Sequence, residues 1–157
     1  MRCLVCALTL VLVVPAARAD KPPLGKAALK ELKALEGKWK AVGGEAGGAP
    51  FPKETVPDLT LVVAAGGKAT GRTSQDEFRF TMVVHPKQKP KSIENLHESG
   101  PDKGKTQYGI YKLQGDKFTV CMTPAGSEEG DRPKSFRTKE STDVVFVFER
   151  IKEDKKS

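Results

Sequence analysis

The chain has 157 residues, enough for one domain with a core of ordinary size. It carries a formal charge of +7, with 30% charged and only 6% aromatic residues. Its basic residues are dispersed apart from Lys87–Lys91 and Lys152–Lys156. Neither patch has interleaved aromatics or a groove-reading helix, so no nucleic-acid partner is expected and the charge reads as solvated surface.

Met1-Arg2 precedes the apolar run Cys3–Val14, Pro15 breaks it, and Ala17-Arg18-Ala19 forms a small-residue cleavage site. Residues 1–19 therefore read as a Sec-type signal peptide. The run is shorter than the roughly 20 apolar residues of a membrane span. No cysteine follows the cleavage motif, so a lipid anchor is not expected. The mature chain from Asp20 would be soluble, periplasmic or extracellular, without a transmembrane segment, and would carry +5 (25 basic, 20 acidic). Cys3 and Cys6 leave with the leader. Cys121 remains as a single thiol, either packed in a strand or available for dimerisation or redox chemistry, and no internal disulfide is expected.

Residues 20–36 form a tether, with Pro22-Pro23, and a short amphipathic helix from Lys26 to Glu36. Ala28, Leu29, Leu32 and Leu35 share its apolar side, and Gly37 stops it. At three turns or fewer it needs a packing partner, and the end of a barrel supplies one. From Gly37 the apolar period changes to two. Trp39–Val42 reads as a short strand and Gly43–Pro57 as a long Gly/Pro-rich loop. Leu59–Val63, the weak Lys68–Thr73, the well-alternating Phe78–His85 and the short Ser92–Leu96 follow. Gln107–Leu113 and Lys117–Thr123 flank Gln114-Gly115-Asp116 as a hairpin. Pro124–Thr142 is polar and irregular, Asp143–Ile151 is the last strand, and residues 152–157 are a charged tail. About eight short strands without helical crossovers predict an all-β, up-and-down antiparallel barrel over residues 37–151, preceded by one helix.

The Gly37-x-Trp39 junction between helix and first strand resembles the opening of a lipocalin-like (calycin) barrel. That resemblance implies that a basic residue near the last strand, here Arg150, packs over the indole of Trp39. Val144, Phe146 and Phe148 would then point inside. A cation–π contact of this kind adds about 0.5–2 kcal/mol, and truncating a buried Trp costs about 3–5 kcal/mol. Gly37, Trp39 and Arg150 are thus expected to be structural. More of the chain is similar to an uncharacterised family of small exported proteins from planctomycete bacteria. The residues that carry this are Leu35-Glu36-Gly37-Lys38-Trp39, Gly104-Lys105-Thr106, Gly109–Asp116, Cys121–Gly126, Arg132–Phe136 and Val147–Arg150. The insertion Ser127–Asp131 departs from the family's pattern. The resemblance implies a fold and an exported location and supplies no activity.

No pattern for chemistry emerges. His85 and His97 are the only imidazoles. The alternation puts His85 on the surface, while His97 reads as a turn residue beside Glu98. No His-Glu-x-x-His, Cys-x-x-Cys or P-loop occurs, and no two acids are singled out as a glycosidase pair. No catalytic residue, metal site or cofactor is expected. Phe136 stands in a polar loop, either tucked against the barrel or offered to a partner.

The reading is an exported, non-enzymatic barrel that binds a small apolar or amphipathic ligand. Its candidate lining is Leu61, Val63, Phe78, Phe80, Met82, Ile110 or Tyr111 (Tyr111 preferred), Phe118, Val120, Met122, Phe146 and Phe148. The alternative is an interaction or inhibitor module for another envelope protein, acting through loops 43–57 and 124–142.

Overall fold

Alternation from Phe78 to His85 becomes a nine-residue strand, Glu77–His85, with Phe80, Met82 and Val84 buried on one face. This follows from the two-residue side-chain period of a half-buried strand. The computed structural model describes residues 24–52, 56, 58–139 and 141–152. The expected signal peptide, most of the tether and the end of the charged tail lie outside these residues.

Among the described residues one α-helix, α1 (Lys26–Leu35), is followed by nine strands. They are β1 (Gly37–Ala46), β2 (Ala49–Pro50), β3 (Thr60–Val63), β4 (Lys68–Arg72), β5 (Glu77–His85), β6 (Ser92–His97), β7 (Thr106–Gln114), β8 (Lys117–Met122) and β9 (Val144–Arg150). Hydrogen-bonded neighbours run β1-β3-β4-β5-β6-β7-β8-β9, and β9 returns to β1. Eight antiparallel strands thus close a barrel, with β2 as a flap on β1. Closure pairs the outer strands and removes the exposed edges of an open sheet.

The core fills one end. Ala28, Leu32 and Leu35 of α1 are buried against Trp39, Val63, Val84, Tyr111 and Phe118 in one apolar cluster. Leu32 reaches over the turn at Gly67, where a Cβ would stand 3.2 Å from one of its methyls. Leu29, expected on the packed side of the helix, is 50% exposed. The packed stripe follows positions 28, 32 and 35, and Leu29 falls on its flank.

The first strand is longer than the sequence suggested, and the loop after it correspondingly shorter. β1 runs to Ala46 and turns through Gly47-Gly48 into β2, so Gly43–Pro50 is a hairpin rather than open loop. Gly47 and Gly48 both have positive φ (59° and 81°), as a two-residue hairpin turn demands. The register on β9 slips between Ala41 and Gly43. β1 pairs on one edge with β3 over Gly37–Lys40 and on the other with β9 from Trp39 to Ala46.

A second apolar cluster lies on the outer face, where Ile110, Cys121 and Val145 are covered by Phe136. Phe136 is therefore tucked against the side of the barrel, with the Lys112 ammonium 4.5 Å from its ring centre. Arg132 holds the same loop down. Its Nη1 donates to the carbonyls of Ile93 (3.0 Å) and Gly109 (3.2 Å), and its guanidinium lies 5.2 Å from the ring centre of Tyr108. Further along, the buried Thr138 donates its hydroxyl (2.6 Å) and its backbone N–H (3.0 Å) to Glu45 Oε1. Gly48 N–H returns a bond to Thr138 Oγ1 at 2.9 Å.

Candidate functional site

The barrel is filled at the helix end and hollow at the other. Phe118 marks the division, since its ring packs 5.8 Å from that of Trp39 and it also lines an open-mouthed cavity of about 330 Å³. That volume exceeds the roughly 150 Å³ that admits benzene in an apolar core. It falls at the lower end of the roughly 300–1,000 Å³ usual for small-molecule sites.

Period-two alternation on successive strands builds the wall. Leu61 of β3, Phe78, Phe80 and Met82 of β5, Phe118, Val120 and Met122 of β8, and Phe146 and Phe148 of β9 all line the cavity. Rings stack along this wall: Phe78 and Phe80 centroids are 5.9 Å apart, as are Phe118 and Phe148. Phe51 closes over Phe146 at 5.9 Å.

Two residues expected in the lining are elsewhere. Val63 and Tyr111 are buried beneath α1 in the filled end, because each sits towards the helix end of its strand. Burial, with the Glu31 carboxylate nearby, pushes the Tyr111 phenol pKa up. Ile110, weighed against Tyr111 for the interior, faces the outer cluster. Of the structural trio, Trp39 is fully buried, Arg150 lies over it, and Gly37 adopts φ 123° beside them.

The cavity also has a polar wall that the sequence reading missed. Asn95 and His97 of β6 and Gln107 of β7 face inward alongside the aromatics. His97 is not in a turn: β6 extends through it and it is 7% exposed, with its ring 5.7 Å from Phe80. Gln107 donates its amide to the Thr123 carbonyl (3.2 Å), which orients its Oε1 to accept from His97 Nε2 at 2.8 Å. Asn95 Oδ1, by contrast, is buried without a hydrogen-bond partner among the described residues. An unmet buried acceptor costs about 1–3 kcal/mol. The signal was present in the alternation Ile93, Asn95, His97, but polar residues at inward positions lack the apolar signature that marks a core face.

Thr73, Asp76, Ser99, Pro101 and Asp102 form the mouth, from the β4–β5 turn and the β6–β7 loop. His85 stands apart on the outer face, with Nε2 3.0 Å from Glu94 Oε1. The two histidines therefore do not share a site. Among the described residues no three His, Cys, Asp or Glu side chains gather as a metal-ligating group. No described helix is long and apolar enough to cross a membrane.

Fold and site together define an eight-stranded antiparallel barrel, closed by a helix at one end, with a largely apolar cavity open at the other. Compared with known protein families, curated proteins and solved structures, the chain matches none.

Proposed function

We propose that the protein is an exported, non-enzymatic container for one small, mainly apolar molecule. The observation that carries this is the cavity itself: about 330 Å³ bounded by aromatic and aliphatic side chains from five strands, with polar groups gathered on one wall and at the mouth. A mostly apolar enclosure with a few convergent polar groups is the usual form of a ligand site. Export rests on the leader-like residues 1–19 and on the resemblance to small exported planctomycete proteins. The competing reading, a module that grips another envelope protein through its loops, draws less support. Loop 124–139 spends Arg132, Phe136 and Thr138 on contacts with its own barrel.

Native mass spectrometry of the protein purified from its own host, followed by organic extraction, tests the proposal. A stoichiometric small molecule released on unfolding is expected. Bare polypeptide, or a complex with a second polypeptide in place of a small molecule, would turn the assignment towards the interaction module.

A further inference from the structure

The polar wall says which kind of head group the cavity is made for. On it, His97 and Gln107 are mutually engaged, and Gln107 is further anchored to the Thr123 carbonyl. Asn95 Oδ1 is the acceptor left over, buried and unpartnered. It stands directly across the ladder from Met82 on one side and Gln107 on the other, midway along the wall. An acceptor so placed is satisfied by an O–H or N–H on the occupant. Charge narrows the choice. The described lining includes Asp76 and Asp102 at the mouth and no Lys or Arg, although the chain as a whole is basic. Asp102 is shared with Lys105 at 3.0 Å, and Lys105 itself is not in the lining. A carboxylate head would meet the Asn95 acceptor oxygen and the two acids of the mouth, with no Lys or Arg in the lining to receive it.

Building on the container reading, we infer that the occupant's apolar body ends in a hydrogen-bond-donating head without negative charge, an amine or alcohol rather than a fatty-acid carboxylate. Asn95 is the residue that selects it. The apolar body lies among Phe80, Phe118, Val120, Met122 and Phe148, and the head turns to the β6–β7 wall. The arrangement requires no proton transfer or bond making; it discriminates by leaving a donor satisfied and an anion unsatisfied.

Calorimetric titration of the full mature chain with n-octylamine, n-octanol, n-octanoate and naphthalene at neutral pH separates the two claims. The amine and alcohol are expected to bind at least about tenfold more tightly than octanoate, the difference one well-formed hydrogen bond makes. Asn95→Leu should cut their advantage over octanoate to less than about threefold while naphthalene binds as before. Asn95→Gln, which keeps a carboxamide, is the control for a variant that fails to fold. Octanoate binding as tightly as the amine and alcohol, with naphthalene still bound, would overturn the head-group inference and leave the container standing. Failure of all four probes would overturn the container.

Discussion

Trp39 and Arg150 are direct cross-strand partners at the seam that closes the barrel, with the guanidinium carbon 4.1 Å from the centre of the indole ring. The same guanidinium donates to the carbonyls of Ala34 (2.7 Å) and Glu36 (2.6 Å), the otherwise unmet acceptors at the end of α1. The indole N–H donates to the Leu35 carbonyl at 2.8 Å. Helix, first strand and last strand are therefore tied at one point, and a cation sits where the helix macrodipole favours it. Gly37 is required there twice over, because its φ is 123° and a Cβ would lie 2.9 Å from Arg150 Nη1.

Removing the cation should loosen all three elements together. Arg150→Met is expected to lower unfolding free energy by about 2–4 kcal/mol, combining the cation–π contact with charge-assisted hydrogen bonds. In a double-mutant cycle with Trp39→Phe, urea denaturation should return a coupling of about 0.5–2 kcal/mol. Strictly additive effects would mean the two side chains act independently.

Much of this junction was legible in the sequence. The resemblance of Gly37-x-Trp39 to the opening of a lipocalin-like barrel implied Arg150 over the indole, and the parity of the last strand then put Phe146 and Phe148 inside. The strand count and antiparallel order followed from turn spacing and period-two runs. Legibility failed where glycine or polarity carried structure. Gly43 and Gly44 belong to β1, and a Cβ on Gly44 would strike the Val145 carbonyl (2.2 Å) and the Phe51 ring (2.5 Å). The missing side chains that make this approach feasible are what made the segment read as loop. Likewise Asn95, His97 and Gln107 break the apolar alternation just where they define the pocket. The division between filled and hollow ends, which separates Val63 and Tyr111 from their neighbours, depends on where α1 docks. No period within a strand encodes that.

Filling the cavity should abolish uptake without unfolding the barrel. Val120 is 6% exposed and lies in the hollow half. Val120→Phe is expected to keep the far-ultraviolet dichroism of the native barrel and to change stability by no more than about 1–3 kcal/mol. Binding of naphthalene should fall below detection in calorimetry, and unchanged affinity would place the site elsewhere.

Cys121 should be chemically silent in the native state. It is fully buried, and burial, followed by the charges of Asp143 and Glu45, pushes its thiol from the ordinary value of 9.0 up to about 12. Thiol-directed reagents are expected to label it only after denaturation. Because the folded pKa is raised, its contribution to stability is fully present below pH 9.0 and is lost as pH climbs towards about 12. Chemical denaturation across that window should show declining stability, and Cys121→Ala should flatten the decline. Rapid native-state labelling near neutral pH would contradict the buried placement.

The Glu45–Thr138 contact predicts acid sensitivity of the outer loop. Hydrogen bonds from the Thr138 hydroxyl and backbone N–H hold the Glu45 carboxyl below its ordinary range. A depressed pKa gives stability above the unfolded pKa that is lost as pH falls through the folded one. Limited proteolysis within residues 124–139 should therefore accelerate as pH drops below the carboxylate range, and Thr138→Val should show the fast rate already at neutral pH. Equal rates for both proteins at all pH values would assign the loop's order to Arg132 and Phe136 alone.

The central claim is that the barrel is hollow between Phe80, Phe118 and Phe148 and solid beneath α1. Titrating naphthalene into the protein with methyl-resolved nuclear magnetic resonance tests it most directly. Saturable shifts at Met82, Val120 and Met122, with Leu32, Leu35 and Val63 unmoved, are the predicted result. Shifts confined to surface methyls, or none at saturating naphthalene, would show that the barrel is a closed core and that it is not a container.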